Sequence, residues 1–188
     1  MNDLLGKRMK DQYEVRTKLL LSRRTYTLIR IDGKAFHSFT KGMNRPFDQN
    51  LMNVMDKTTL ALCENIQGCK MGFVQSDEIS LILTDFDDIS TNAWFDGNVQ
   101  KITSISASMA TAYFNKYKEE YKLSDKMALF DSRVWTIPDI EEVVNYFIWR
   151  QKDATRNSIN MTAQSLYSFK ELQKKNCNEM QEMIFQRE

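Results

Sequence analysis

The sequence predicts an α+β domain with the element order β-α-β-β-α-β, and three observations carry that prediction. Short β-branched and aromatic runs alternate with long segments of helical periodicity. Two of the runs are separated only by Ser76-Asp77, the mark of a tight antiparallel hairpin. Helical segments both precede and follow this core.

The elements follow in chain order. Residues 3–21 place Leu4, Leu5, Met9, Tyr13, Val15, Leu19 and Leu20 at roughly helical spacing. "TYTLIRI" (25–31) reads as the first strand. "FDQNLMNVMDKTTLALCENI" (47–66) is an amphipathic helix with Asp48 as its N-cap, ending near Gly68. "CKMGFVQ" (69–75) and "EISLILT" (78–84) are the hairpin strands. Residues 98–118 form a helix rich in Ser and Ala, small enough to pack closely on a sheet. "MALFDSRVWTI" (127–137) is the fourth strand, and from Pro138 the chain is helical. This order is the ferredoxin-like split βαβ arrangement, with an antiparallel sheet expected to carry helices on one face.

Composition narrows the class. The chain has 188 residues, 42% hydrophobic and 27% charged, which suits a folded, cored protein. No apolar run is long enough to cross a bilayer, and "MNDLLGKRMK" lacks the apolar stretch of a signal peptide. The expectation is a cytoplasmic protein with no membrane partner. Cys63, Cys69 and Cys177 have neither disulfide-framework nor zinc spacing and are expected to stay reduced. Net charge is only +1, but it is segregated: residues 1–45 hold 11 Lys and Arg against 4 Asp and Glu, the remainder 15 against 21. Such segregation fits either a polyanion-binding face or a solvated helix surface.

Two acids stand out. In this topology the first strand is central and ends at Asp32, and Asp77 occupies the hairpin turn beside it. Carboxylates at adjacent strand ends repel, and a divalent cation resolves the conflict. Mg²⁺ takes one or two carboxylates and completes its shell with water and phosphate oxygens. Two such ions can stabilise both oxygens of a nucleotidyl transfer. Gly33 can lend its carbonyl, and Glu78 is a third carboxylate, although strand alternation points it away from Asp77. Asp-Gly and Ser-Asp are also ordinary turn dipeptides.

"RIDGKAFHSFT" (30–40), "RPFD" (45–48), "QSDEIS" (75–80), "FDSRVW" (130–135) and "WRQKDATRNS" (149–158) resemble, in order, motifs of the tRNA-His guanylyltransferase superfamily. Where the eukaryotic pattern reads His-Ile-Asn-Asn, this chain has Thr155-Arg156-Asn157-Ser158, so it looks closest to the bacterial and archaeal Thg1-like proteins. The family generally extends further than Glu188, and "EMIFQRE" carries no helix stop signal, so a piece of a longer chain is expected.

The resemblance implies a polymerase-palm-type catalytic unit over residues 1–137, with residues 138–188 a helical extension packed on it. It implies template-dependent addition of nucleotides to the 5′ end of truncated tRNA, in the 3′-to-5′ direction, after ATP or GTP activates the 5′-phosphate. By the same token Asp32, the Gly33 carbonyl and Asp77 hold two Mg²⁺, with Glu78 supporting catalysis. Arg30, Lys34, Phe36, His37, Arg45, Asp48, Ser76, Lys101 and Arg133 bind nucleotide or phosphate. Arg45 stands where the family has Lys, and as an Arg it can grip a phosphate bidentately. Arg150, Lys152, Arg156 and Asn157 meet tRNA, although a solvated helix face would look the same. The implied assembly is a homotetramer. A nucleotide cyclase built on the same palm and a non-catalytic RNA-binding module are the alternatives. The basic N-terminal segment weighs against the first, and the retained pair of repelling acids against the second.

Overall fold

The computed structural model describes residues 3–187; residues 1, 2 and 188, the outer ends of the two expected units, lie outside the described residues. Helix α1 (Leu4–Met9) starts on Asp3, whose carboxylate accepts from the Gly6 amide at 2.8 Å. The winding loosens to a π-turn over Lys10–Glu14, then tightens to 3₁₀ over Val15–Thr17. The helix expected over 3–21 therefore stops at Thr17. Its apolar side chains Leu4, Leu5, Met9 and Tyr13 stand largely exposed. Further on, tertiary bonds win the backbone. The Val99 amide donates to the Leu19 carbonyl at 3.0 Å, and the Leu21 amide to the Gly97 carbonyl at 2.9 Å. Arg23 and the Arg24 amide both donate to buried Asp85, at 2.5 and 2.8 Å, anchoring the arm to the chain just beyond β3.

Strand β1 (Tyr26–Gly33) leads through a short helix α2 (Phe36–Phe39) into helix α3 (Gln49–Asn65). Strands β2 (Cys69–Gln75) and β3 (Glu78–Leu83) form the hairpin, with Gln75 opposite Glu78. A 3₁₀ turn (Trp94–Gly97) precedes helix α4 (Val99–Glu120), capped by Asn98. Strand β4 (Phe130–Ile137) begins three residues later than expected: Met127 is exposed, and the Ala128 amide is taken by the Asn115 side chain at 3.0 Å. Helix α5 (Ile140–Leu166), capped by Asp139, is followed by two short helices, α6 (Phe169–Leu172) and α7 (Cys177–Phe185). The last two open with capping boxes, Ser168 with Glu171 and Asn176 with Glu179.

The sheet order is β2-β3-β1-β4, antiparallel throughout, with β1 central as expected. Its two faces differ from the expectation of one covered side. Ile29, Ile31, Ile79, Leu81 and Leu83 pack with Val54, Leu62 and Phe114 of α3 and α4. On the reverse face Leu28 and Ile82 pack with Val143 and Tyr146 of α5. Two adjacent residues of β1, Leu28 and Ile29, are both wholly buried, which an antiparallel strand achieves only with cover on each side. Each such aliphatic side chain contributes about 1.5–3 kcal/mol on burial. The small residues of α4 allow close approach to the sheet: Ser106, fully buried, shares a 2.7 Å hydrogen bond with Ser132 of β4.

Candidate functional site

The end of β1 gathers charge. Asp32 lies opposite Glu78 of β3 and Asp131 of β4 in the register, so three carboxylates share one sheet row. Asp77 joins them from the hairpin turn. That turn is drawn onto β1 by the Gly33 amide, which donates to the Asp77 carbonyl at 3.1 Å. Ser76 enters the turn with φ +51°, and its hydroxyl donates to the Asp77 carboxylate at 3.1 Å. Gly33 is required by packing, because a Cβ there would meet the Phe36 ring at 2.3 Å.

Electrostatically the cluster is short of positive charge. Burial pushes the Asp77 carboxyl above its ordinary range, and the charges of Asp32 and Glu78 push it further; the Ser76 hydrogen bond opposes them. Arg133 offers weak compensation, 3.9 Å from Asp32 and 3.4 Å from Asp131 with its side chain half exposed. Among the described residues no three or more His, Cys, Asp or Glu side chains form a metal-ligand group. A cation held by Asp32 and Asp77 must therefore complete its shell with carbonyl, water or phosphate oxygens. This donor set fits Mg²⁺ and does not fit zinc.

Glu78 is differently placed. Arg150 of α5 grips it with two bonds, Nε to Oε1 at 2.7 Å and Nη2 to Oε2 at 2.8 Å. The Arg150 side chain is 6% exposed and also donates to Asp153 at 3.0 Å. Arg150 is therefore not an RNA-facing residue as the sequence suggested; its guanidinium is spent inside the fold. Two further expectations are corrected. Phe36 is 5% exposed and packs with Phe39, Phe114 and Phe130, so it belongs to the core and not to a nucleotide surface. Lys101 sits one turn into α4 with its Nζ over the Phe95 ring at 5.9 Å. Its neighbour Ile102 lies beside Thr27 and Leu83, at the opposite end of β1 from Asp32, so within this chain Lys101 does not reach the carboxylates.

A cleft of about 550 Å³ opens next to the hairpin turn. His37, Arg45, Asp48, Ser76 and Asn157, separated widely in sequence, all line it. Apolar side chains including Met52, Phe73 and Met161 form its walls, and Gln75, Gln151 and Gln164 add amides that residue spacing alone did not single out. Asp48 has little capacity left for a ligand. One carboxylate oxygen caps α3 through the Asn50 and Leu51 amides at 3.0 and 3.1 Å, and the other accepts from the Asn44 amide at 3.1 Å. It thereby holds the Asn44–Phe47 segment that presents Arg45, which forms no ion pair among the described residues. His37 shares a 3.0 Å hydrogen bond with Ser38 and is exposed. Lys34 and Lys152 are exposed, and Arg156 pairs with Asp153. Arg30 faces Ser80 and Arg133 in the register, and its Nε is buried without a partner. Trp149, exposed beside Arg150, escaped the sequence reading; the guanidinium lies 4.4 Å from its ring centre.

Comparison with known proteins places the fold. The family model for tRNAHis guanylyltransferase (Thg1) matches residues 6–138. A bacterial tRNA(His) guanylyltransferase (Thg1)-like protein in complex with ATP is similar at TM-score 0.92 and 45% identity, covering 96% of this chain and 78% of that one. A bacterial (Thg1)-like protein in complex with GTP is similar at TM-score 0.84 and 44% identity, covering 96% and 76%. The tRNA(His) guanylyltransferase of Saccharomyces cerevisiae is 32% identical over 85% of this chain and 73% of its own length. For several other curated relatives, the chain spans only about half of their length.

Proposed function

The chain belongs to the tRNA(His) guanylyltransferase (Thg1) family, and on that premise we propose that it is a nucleotidyltransferase extending the 5′ end of truncated tRNA in the 3′-to-5′ direction. The observation that carries the reading is the convergence of Asp32 and Asp77 beside a cleft lined by Arg45, His37 and Ser76. The ATP and GTP held by the bacterial relatives suit that cleft and are the nucleotides proposed here.

In this reading the 5′-monophosphate of the RNA attacks the α-phosphate of ATP or GTP and pyrophosphate leaves. The 3′-hydroxyl of an incoming nucleotide then attacks the activated 5′-phosphate and the nucleoside monophosphate leaves. Asp32, the Gly33 carbonyl and Asp77 would hold two Mg²⁺, which when bound supply positive charge to the phosphate oxygens during transfer. Arg45, without an acidic partner among the described residues, binds phosphate in the cleft. His37 stacks on or hydrogen-bonds the nucleotide, Lys34 and Ser76 flank it, and Asp48 keeps the Arg45 segment in place. Arg30, whose buried Nε has no partner among the described residues, and its cross-strand neighbour Arg133 receive the activating triphosphate. Lys152, Arg156 and Asn157 lie along one helix toward the RNA. The incoming base is selected by pairing with the opposite RNA strand. The assembly is a homotetramer, which would cover apolar residues of α1 that this chain leaves exposed.

The test uses labelled 5′-monophosphorylated truncated tRNA with Mg²⁺, ATP and the four nucleotides. Asp32→Ala and Asp77→Ala should each lower transfer by at least about 100-fold, with circular dichroism unchanged. Near-wild-type transfer by either variant overturns the assignment. Altering the template base should change the added base to its complement; an added base that ignores its opposite overturns the templated reading.

A further inference from the structure

The end of β1 gathers more acids than the two proposed as metal ligands. Asp32 and Glu78 face each other in the register with Asp77 in the adjoining turn, and burial makes the ionised form of Asp77 more costly. Only one of the three has a buried cationic partner. Arg150 approaches Glu78 from α5 on the side of the sheet opposite α3 and α4, and both carboxylate oxygens receive a guanidinium N–H. The same Nη2 also donates to Asp153, and the Trp149 ring lies beside the guanidinium. Tyr146, one turn earlier, is fixed by a 2.7 Å hydrogen bond to Ser80 of β3, two residues beyond Glu78, so the helix is registered on the strand at two points.

We infer that Arg150 is a positioning residue that pairs with and immobilises Glu78, leaving Asp32 and Asp77 as the two acids free to bind metal. This rests on the metal-binding reading of Asp32 and Asp77 proposed above. Three physical reasons support it. A bidentate Arg–carboxylate pair fixes the plane of the carboxylate, so Glu78 cannot swing toward the turn. Both carboxylate oxygens of Glu78 are taken up by guanidinium N–H groups, so its lone pairs on that side are engaged inside the fold. Asp77, by contrast, has only the Ser76 hydroxyl and backbone to offset its burial. Within the WRQ-x-D stretch, Arg150 and Asp153 then act through the acid row and not through RNA. Arg150 supplies the counter-charge, Asp153 orients it from the next turn, and Arg156 balances Asp153.

The experiment compares wild type with Arg150→Met, Glu78→Gln and the double variant. Three readouts are used: thermal unfolding, Mn²⁺ titration of the RNA-free protein by electron paramagnetic resonance, and transfer kinetics. Arg150→Met should lower Tm by about 5–10 °C by stranding a buried carboxylate. Adding Glu78→Gln should recover much of that loss. Arg150→Met should also tighten Mn²⁺ binding by about tenfold, as a third free acid joins the site, and lower kcat with little change in KM for RNA. Glu78→Gln alone should leave Mn²⁺ affinity near wild type. A tenfold weaker Mn²⁺ affinity in Glu78→Gln makes Glu78 a metal ligand and overturns the inference. So does an Arg150→Met variant with unchanged Tm and a raised KM for RNA. Asp32→Asn separates this inference from its premise: Mn²⁺ binding insensitive to that change removes the metal site, while additive Tm effects of Arg150→Met and Glu78→Gln remove the clamp.

Discussion

Asp77 carries a carboxylate whose ionised form is disfavoured by burial and by the charges of Asp32 and Glu78. A carboxyl with a folded pKa above its unfolded value binds more protons folded than unfolded, so stability falls as pH rises. The contribution is fully present below the ordinary Asp range and lost as pH climbs through the raised value. At neutral pH without metal, Asp77 is therefore a site of local instability. Asp77→Asn should raise Tm in chelator-treated buffer while abolishing transfer, and added Mg²⁺ should raise the wild-type Tm toward that of the variant. Differential scanning calorimetry at neutral and mildly acidic pH measures both, and the advantage of the variant should shrink as pH is lowered. A variant less stable than wild type in chelator would refute the electrostatic account. Asp32 and Asp77 were legible in the sequence because turn dipeptides at strand ends are local features. The partner of Glu78 was not, since Arg150 lies 72 residues away and nothing local to either residue signals the pair.

Helix α3 shows how an element can serve a site through its cap. Asp48 was readable as an N-cap from the sequence, and its bonds to Asn50 and Leu51 satisfy that role. The third bond, to the Asn44 amide, ties the cap to the segment bearing Arg45. Asp48→Ala should cost about 1 kcal/mol of stability, the usual loss for a cap, and raise the nucleotide KM as Arg45 loses its fixed approach. Asp48→Asn retains a capping oxygen and should keep the stability, with a smaller rise in KM. Urea unfolding and initial-rate kinetics on both variants decide the matter. Loss of nucleotide binding in Asp48→Asn with stability intact would mean that Asp48 touches the nucleotide directly. Helix α1 shows the opposite case: its spacing is helical, but without a surface to bury against, the winding ends at Thr17 and bonds to Gly97 and Val99 direct the chain beyond it.

The sheet, with cover on both faces, binds the two halves of the chain to each other. Removal of residues 138–187 would expose Leu28, Ile82 and Trp135 and take away the Arg150 partner of Glu78. We propose that residues 3–137 do not form an independent palm. A chain ending at Ile137 should lose the cooperative thermal transition and bind a hydrophobic dye, whereas one ending at Leu166 should retain the fold. A cooperative transition in the shorter chain would establish a separable unit. At this scale the absence of any described helix long and apolar enough to cross a membrane agrees with the hydropathy of the sequence.

The sequence by itself determined the strands, the order β-α-β-β-α-β, the antiparallel hairpin at Ser76-Asp77 and the family, because each depends on periodicity or on contiguous motifs. It also marked His37, Arg45, Asp48 and Ser76, which the fold brings to one cleft. Only the tertiary structure decided which residues of a motif face ligand and which face the core. "RIDGKAFH" places Phe36 in the aromatic core and leaves His37 exposed at the cleft, one residue apart on a short helix. "WRQKD" buries Arg150 against Glu78 and leaves Lys152 in solvent. The physical reason is that a motif specifies which residues are present, whereas burial and charge pairing depend on distant neighbours that only packing brings near.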